Sequence, residues 1–466
     1  MPKYKIPING DCGFGLIPSL LSPAHLIYKM NKFKTILFYT LALIPFSISS
    51  AFGQTGNVNE KSDSLYRVVN APVDDFNKFR FGSYGEILFQ HMNYGPNRYL
   101  DPLGAPASKR SYISLPRIVF AMDYKFRDDI ILSSELEIEY GGTGAAMELE
   151  YAEAGEYEME IEKGGEVMLE QLHITKRFNR AISLRVGHMV VPIGLTNAHH
   201  EPIFFMTSSR PEGEVAMLPS TWHETGIALL GNIYDFGYNV MLVNGLDPNG
   251  FSTANWVGSG KQGIFETSVM TNPAVAGRLE YFGVKGLRLG ASGYYAGSTA
   301  GNSSKPHFMT EVKGRVKIVS GDAQYTGHGV VARGNIIYGT LSDSREISKI
   351  NTSFRKGGFP ATPVAKAAMT YAAELGYDVF SLFRFNKKLV PFARYEYYNT
   401  AEDLEEGAAK QPRYKRDLVV FGLNYFPLPN LVVKLDYSHR RIDAGNYNNE
   451  DMIGIAVAYT GWFVNK

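Results

Sequence analysis

Cysteine is all but missing from this chain of 466 residues: Cys12 is the only one. An intramolecular disulfide framework and a multi-cysteine metal site are therefore excluded. Long apolar runs are missing too. Beyond the amino terminus none approaches the roughly 20 residues a membrane helix needs, and the mean hydropathy of −0.15 agrees. Excess charge of one sign is absent, with a formal net charge of +1. Nothing in that balance points to a nucleic-acid partner. There is no Walker loop, no His-Glu-x-x-His and no Gly-x-Ser-x-Gly elbow, so the sequence nominates no catalytic residue, cofactor or enzymatic activity.

One apolar stretch does stand out. Met30-Asn-Lys-Phe-Lys, then Thr35–Ser50 and Ala51-Phe52-Gly53, has the basic, apolar and small-residue parts of an export signal. The expected division is a leader 1–29 upstream of the true start, a signal peptide 30–53, a periplasmic tail 54–78 and a barrel 79–466. Loss of residues 1–53 removes Lys3, Lys5, Lys29, Lys32, Lys34 and Asp11 along with Cys12, which takes the charge from +1 to −3. The mature chain is then free of cysteine, as suits passage through an oxidising periplasm.

What is abundant is period-two alternation. Ile130, Leu132, Leu136 and Ile138 project to one side of their segment, Ile131, Ser133, Glu135, Glu137 and Glu139 to the other. Leu431, Val433, Leu435 and Tyr437 likewise oppose Val432, Lys434, Asp436 and Ser438. Strands are expected near 79–92, 113–126, 130–140, 167–178, 181–191, 222–233, 236–246, 272–282, 286–297, 314–326, 329–341, 369–383, 389–400, 416–426, 430–442 and 451–464. Alternation alone would also fit a soluble sheet. The connections decide: after even strands they are a few residues (Arg127–Asp129, Asn179–Arg180, Gly283–Lys285, Gly327–His328, Pro427–Pro429), after odd strands long and polar (93–112, 192–221, 247–271, 342–368). Short periplasmic turns, long outer loops and an even count predict an all-β, antiparallel transmembrane barrel of about 16 strands in a bacterial outer membrane. Tyr 29, Phe 28 and Gly 47 suit aromatic girdles and close strand packing.

In such a barrel lipid lies outside and water inside, so the polar face of each strand lines the lumen. That places Arg80, Arg117, Lys125, Arg185, Arg278, Arg288, Arg333, Arg394, Lys434 and Arg440 inside, with Glu86, Asp123, Glu135, Glu137, Glu280, Glu396 and Asp436. On the lipid face a cation would cost about 2–4 kcal/mol at mid-membrane. Two readings stay open: fixed guanidinium groups that ease the passage of small hydrophilic anions, or arginines that pair with wall carboxylates and brace the barrel, as Arg278/Glu280, Arg394/Glu396 and Lys434/Asp436 suggest.

The segment Leu184-Arg-Val-Gly-His-Met-Val-Val-Pro-Ile-Gly-Leu195, then Phe204-Phe205, Ser208-Ser209-Arg210, Pro219-Ser-Thr-Trp-His-Glu-Thr-Gly-Ile-Ala-Leu-Leu-Gly231 and Tyr238 to Asn244-Gly245, resembles the phosphate-selective porin O/P family. The resemblance extends over roughly 79–466. It implies a sixteen-stranded outer-membrane porin, commonly a homotrimer, with an inward loop forming a constriction and phosphate among the expected solutes. Where members carry Gly-Arg-Asp this chain has Trp222-His223-Glu224, a histidine in place of a cation. Loop 192–221 corresponds to the inward loop, and Arg210 is its expected constriction residue. Packing of that loop outside the barrel on Phe204 and Phe205 is the alternative. His199-His200-Glu201 is not read as a metal site, because adjacent residues seldom complete a coordination shell and no other ligand is spaced to help.

A last motif alternates Glu148, Glu150, Glu153, Glu156, Glu158, Glu160 and Glu162 with Met147, Leu149, Tyr151, Tyr157, Met159 and Ile161. It is expected to be a hairpin prolonging the third and fourth strands, with Gly155 near its turn and a solvated acidic face. If the barrel is closed, such loops could instead serve a surface receptor or adhesin.

Overall fold

The computed structural model describes residues 76–94, 109–142, 144–150, 156–163, 165–262, 267–353, 363–383, 385–408, 412–443 and 449–466. The expected leader, the signal peptide, Cys12, most of the tail and Gly155 lie outside them.

Eighteen strands follow in order: β1 Phe79–Met92, β2 Arg110–Arg127, β3 Ile130–Glu139, β4 Gly144–Glu150, β5 Glu156–Lys163, β6 Glu166–Arg177, β7 Ser183–Val190, β8 His223–Ile233, β9 Phe236–Asn244, β10 Pro273–Tyr281, β11 Leu287–Ala296, β12 Val316–Gly327, β13 Val330–Leu341, β14 Ala367–Tyr377, β15 Lys388–Asp403, β16 Lys415–Leu428, β17 Leu431–Ile442 and β18 Asn449–Asn465. Sixteen form one closed antiparallel barrel, and β4 and β5 form a separate two-stranded sheet. All sixteen expected strands are present. Closure runs along β1 and β18 from Arg80↔Asn465 to Met92↔Met452. It is locked at the chain terminus, where the Lys78 and Phe79 amides donate to the Lys466 carbonyl at 2.7 and 2.9 Å. Because closure leaves no unpaired edge, every strand amide can be satisfied without water, which is what a span through hydrocarbon requires.

Alternation is kept along β3 and β17. In β3 Leu136 is exposed while Glu135 and Glu137 are buried; in β17 Val433, Leu435 and Tyr437 are exposed and Lys434, Asp436 and Arg440 buried. The barrel is therefore apolar outside and charged inside, a surface fitted to lipid. At the turn end Phe126, Phe178, Tyr234, Phe383 and Phe385 stand exposed, as an interfacial aromatic girdle would. The turn His328-Gly329 has φ of +53° and +77°, the two left-handed residues of a type I′ hairpin.

Two local expectations change. The strand expected to 383 stops at Tyr377, because Asp378 Oδ1 accepts from the amides of Phe380 and Leu389, both at 3.1 Å, and caps a 3₁₀ turn over Val379–Phe383. The acidic hairpin is a sheet of its own: pairing of β3 with β6 ends at Glu139↔Glu166 and resumes in β4 and β5 at Gly144↔Lys163. Tyr140, at φ +47°, with Gly141 and Gly142, also at positive φ, breaks the continuity.

The lumen is not an open polar tube. Segment 191–222, between β7 and β8, lies within the barrel. At the loop end of β8 to β13 the inward positions are small or apolar, among them Ala228, Met241, Val243, Ala274, Ala276 and Ile337. Against them pack Ile193, Met217, Leu218 and Trp222 of that segment, and Leu246, Phe251 and Trp256 of the next loop. Trp256 sits flush on the wall: a Cβ on Gly339 of β13 would lie 2.1 Å from its ring. Burial of these large side chains, each of the order of 1.5–3 kcal/mol, favours the inward position of the loops.

Candidate functional site: the inward loop and its cavity

The loop leaves β7 at Val191 and crosses the interior. Its first anchor is Glu214, in the helix α1 (Glu212–Met217). Its carboxylate accepts from the amides of Leu195, Thr196 and Asn197 at 2.8, 2.9 and 3.0 Å and from Asn335 Nδ2 of β13 at 2.8 Å. The loop is thus folded on itself and tied to the wall through one side chain. Opposite, Lys434 Nζ of β17 donates to the carbonyls of Pro202, Phe205 and Thr207 at 2.5, 2.7 and 3.0 Å. Asp436 accepts from Ser208, whose hydroxyl is 3.0 Å away. Asn424 Nδ2 of β16 donates to the Met206 carbonyl at 3.0 Å, Thr460 of β18 to Glu201 at 2.6 Å, and the Gly213 amide to Glu396 of β15 at 2.6 Å. Gly194 meets the remaining side: its amide donates to Ser292 Oγ at 3.3 Å and its carbonyl accepts from Arg278 at 3.2 Å. Replacing Lys434 by methionine leaves three buried carbonyls without their donor, and a stability loss of about 3 kcal/mol is expected. Urea unfolding of the refolded barrel measures it; a midpoint equal to wild type would show that Lys434 does not hold the loop.

Five of the expected pore cations are paired with carboxylates, and others meet neutral groups. Arg80 Nε is 2.6 Å from Asp123, with its guanidinium 4.1 Å above the Trp462 ring. Arg278 pairs with Glu280 at 2.9 Å and Asp322 at 2.8 Å, and Arg333 with Glu374 at 2.9 Å. Arg394 lies 3.3 Å from Glu396 and 3.5 Å from Glu374. Arg440 pairs with Glu212 of the loop and with Glu450. Lys125 donates to the Phe76 carbonyl at 2.5 Å, Arg185 to Thr175 at 3.1 Å, and Arg288 lies 2.6 Å from the His199 ring. The expected Lys434/Asp436 pair is absent, because each side chain serves the loop instead.

A cavity of about 470 Å³ remains beside the loop. Glu86, Arg117, Glu139, Ser209, Arg210, Glu212, Tyr398 and Arg416 are among its lining residues. Arg117 is 3.5 Å from Glu86 and 4.0 Å from Glu137 and also donates to the His200 carbonyl. Arg210 donates to Thr221 Oγ1 at 2.9 Å, and its Nε has no hydrogen-bond partner among the described residues. Burial, then the neighbouring Arg117, lowers the Arg210 guanidinium to about 10, so it stays charged at pH 7. Two like charges thus share one wall of the cavity. Burial together with Arg117 and Arg210 holds the His200 imidazole well below its usual value, so it is neutral there.

Similarity to known proteins adds little to this geometry. No family model matches the chain. An uncharacterized protein of Aquifex aeolicus (strain VF5) is 26% identical over 388 residues, covering 81% of this chain and 79% of that one. Among solved structures, Salmonella typhi OmpF in complex with daunomycin aligns at a TM-score of 0.48 and 11% identity, over 83% of this chain and 99% of that one. The outer membrane channel DcaP of Acinetobacter baumannii aligns at 0.45 and 9%, over 84% and 100%. The anion-selective porin from Comamonas acidovorans aligns at 0.44 and 11%, over 82% and 98%. At these scores they carry no argument about what this chain does.

Glu170, Glu214, Glu212 and Tyr84 are not among the site residues expected from sequence. Glu170 carries a visible signal. The outward apolar positions of β6 run Val167, Leu169 and then Leu172, Ile174, a change of phase that only an extra residue can produce. It is a β-bulge: Glu135 pairs with Gln171 and Leu136 with Leu169, leaving Glu170 unpaired and buried. Glu214 has no such signal, since its partners Leu195 to Asn197 and Asn335 are set by tertiary contact.

Proposed function

We propose that this protein is a bacterial outer-membrane porin that passes small hydrophilic solutes by passive diffusion, with a preference for anions set at Arg210 and Arg117 beside the inward loop. The observation that carries the reading is the loop itself, held across a charge-lined barrel so that the remaining space narrows to a cavity carrying two adjacent guanidiniums. Fixed cations there lower the barrier for an anion, while wall ion pairs elsewhere keep it from being trapped. Phosphate as a solute and assembly as a homotrimer are part of the proposal on the strength of the family resemblance, as is export by the segment 30–53.

Planar-bilayer recording of the refolded chain 54–466 tests it. Steady single-channel conductance with a reversal potential on the anion side in a KCl gradient, reduced by added phosphate, is expected. Conductance equal to that of bare bilayer after verified insertion would sink the porin reading. The tight anchoring of the loop across the interior would then favour the second one, a closed barrel acting through its outer loops and the acidic hairpin, with deletion of 147–162 abolishing partner binding.

A further inference from the structure

We infer that Glu135, Glu170 and His200 form a site for a divalent transition-metal ion inside the barrel, clamping the inward loop to the wall of β3 and β6. One ligand atom from each lies within 4.8 Å of the other two, and all three residues are buried. Tetrahedral zinc holds nitrogen and oxygen at about 2.0–2.2 Å, which sets its ligand atoms roughly 3.4 Å apart.

Three features point to a cation at this position. The β6 bulge turns Glu170 inward against the strand's alternation, and bulges recur where a side chain must be re-aimed. Glu170 Oε1 is fully buried, 3.2 Å from His200 Nε2, and has no hydrogen-bond partner among the described residues. The His200 ring is oriented by its other nitrogen: Nδ1 lies 3.1 Å from the Asn197 carbonyl and carries the proton that bond requires. In the neutral ring Nε2 then presents a lone pair, so two acceptors face each other. Tyr84 does not relieve them, because its single hydroxyl proton goes to Glu170 Oε2 at 2.9 Å while its oxygen sits 3.0 Å from Nε2. Glu135 accepts from Gln171 Nε2 at 2.7 Å and the Arg117 and Arg210 guanidiniums act on Glu170 from farther off, but Glu170 Oε1 and the imidazole lone pair still face each other with no donor between them, a contact that a bound cation relieves. One nitrogen and two carboxylates suit zinc-like ions, whereas Ca²⁺ takes six to eight oxygens and Mg²⁺ keeps its water. The hairpin glutamates, on an outer loop, play no part.

The test is zinc binding by the refolded chain in detergent after chelator treatment, read by calorimetry and metal content rather than by current, so it stands whether or not the barrel conducts. One Zn²⁺ per chain is expected, at least tenfold weaker in Glu170→Gln and in His200→Gln, unchanged in His188→Gln and not displaced by equimolar Ca²⁺. X-ray absorption of the wild-type zinc complex is expected to show one imidazole among oxygen ligands, a readout that survives if the variants do not refold. No saturable site, wild-type affinity in the folded Glu170→Gln, or a shell with two imidazoles, as the His188 and His223 pair would supply, would each overturn the inference.

Discussion

Alanine at Glu214 will free the inward loop at a cost of about 3–5 kcal/mol. Three loop amides and the Asn335 side chain would lose a buried, charged acceptor together, and each unsatisfied buried donor costs about 1–3 kcal/mol. Besides the packing of Met217, the helix α1 would remain tied at Gly213, where Glu396 accepts its amide, and at Glu212. Two measurements follow. The unfolding midpoint should fall by more than it does for Lys434→Met, and single-channel current should turn from steady to flickering as the loop samples positions nearer and farther from the cavity. Glutamine at 214 should lie between, since it keeps one acceptor oxygen and the shape. A Glu214→Ala barrel as stable as wild type would mean that apolar packing of Ile193, Met217 and Trp222 alone secures the loop.

Charge reversal at Arg210 should have the larger effect on selectivity. Arg210 donates to the neutral Thr221 hydroxyl, and Arg117 is its like-charged neighbour. Replacing it by glutamate changes the local charge by two units. At a few ångströms and an effective dielectric of about 20, that exceeds about 1.4 kcal/mol for a passing ion, so the chloride-to-potassium permeability ratio should drop roughly tenfold or more. Arg210→Gln should fall midway. Wall variants such as Arg394→Gln should move the ratio little, because Glu374 and Glu396 already balance that charge. An unchanged reversal potential in Arg210→Glu would remove the cavity from the account of selectivity.

Nearly the whole wall is legible in the amino-acid sequence, and for a physical reason. In a membrane barrel each residue answers to one of two solvents, lipid outside or the interior, so a period of two is imposed on Ile130–Glu139 and Leu431–Ile442 alike. Departures are local. Asp378 captures two amides and ends a strand early, and Tyr140 to Gly142 break the acidic hairpin away from the barrel. The β6 bulge is present in the sequence as a shift of apolar phase between Leu169 and Leu172, an inserted residue that unbroken alternation does not anticipate.

The interior is legible only as a set of charges. Alternation specifies that Arg278, Arg394, Lys434 and Asp436 face inward, since none can face hydrocarbon cheaply. Same-strand spacing also nominated Arg278/Glu280 and Arg394/Glu396, which pair as expected, but it cannot specify partners across the barrel: Lys434 meets residues 202–207, Asp436 meets Ser208, Glu214 meets Asn335, and Glu170 meets His200. Local pattern thus determined the sixteen strands, their faces and the turn end. Tertiary structure decided between an inward and an outward loop, which wall groups anchor it, and where carboxylates and an imidazole converge, because contacts between residues far apart in sequence leave no periodic trace in it.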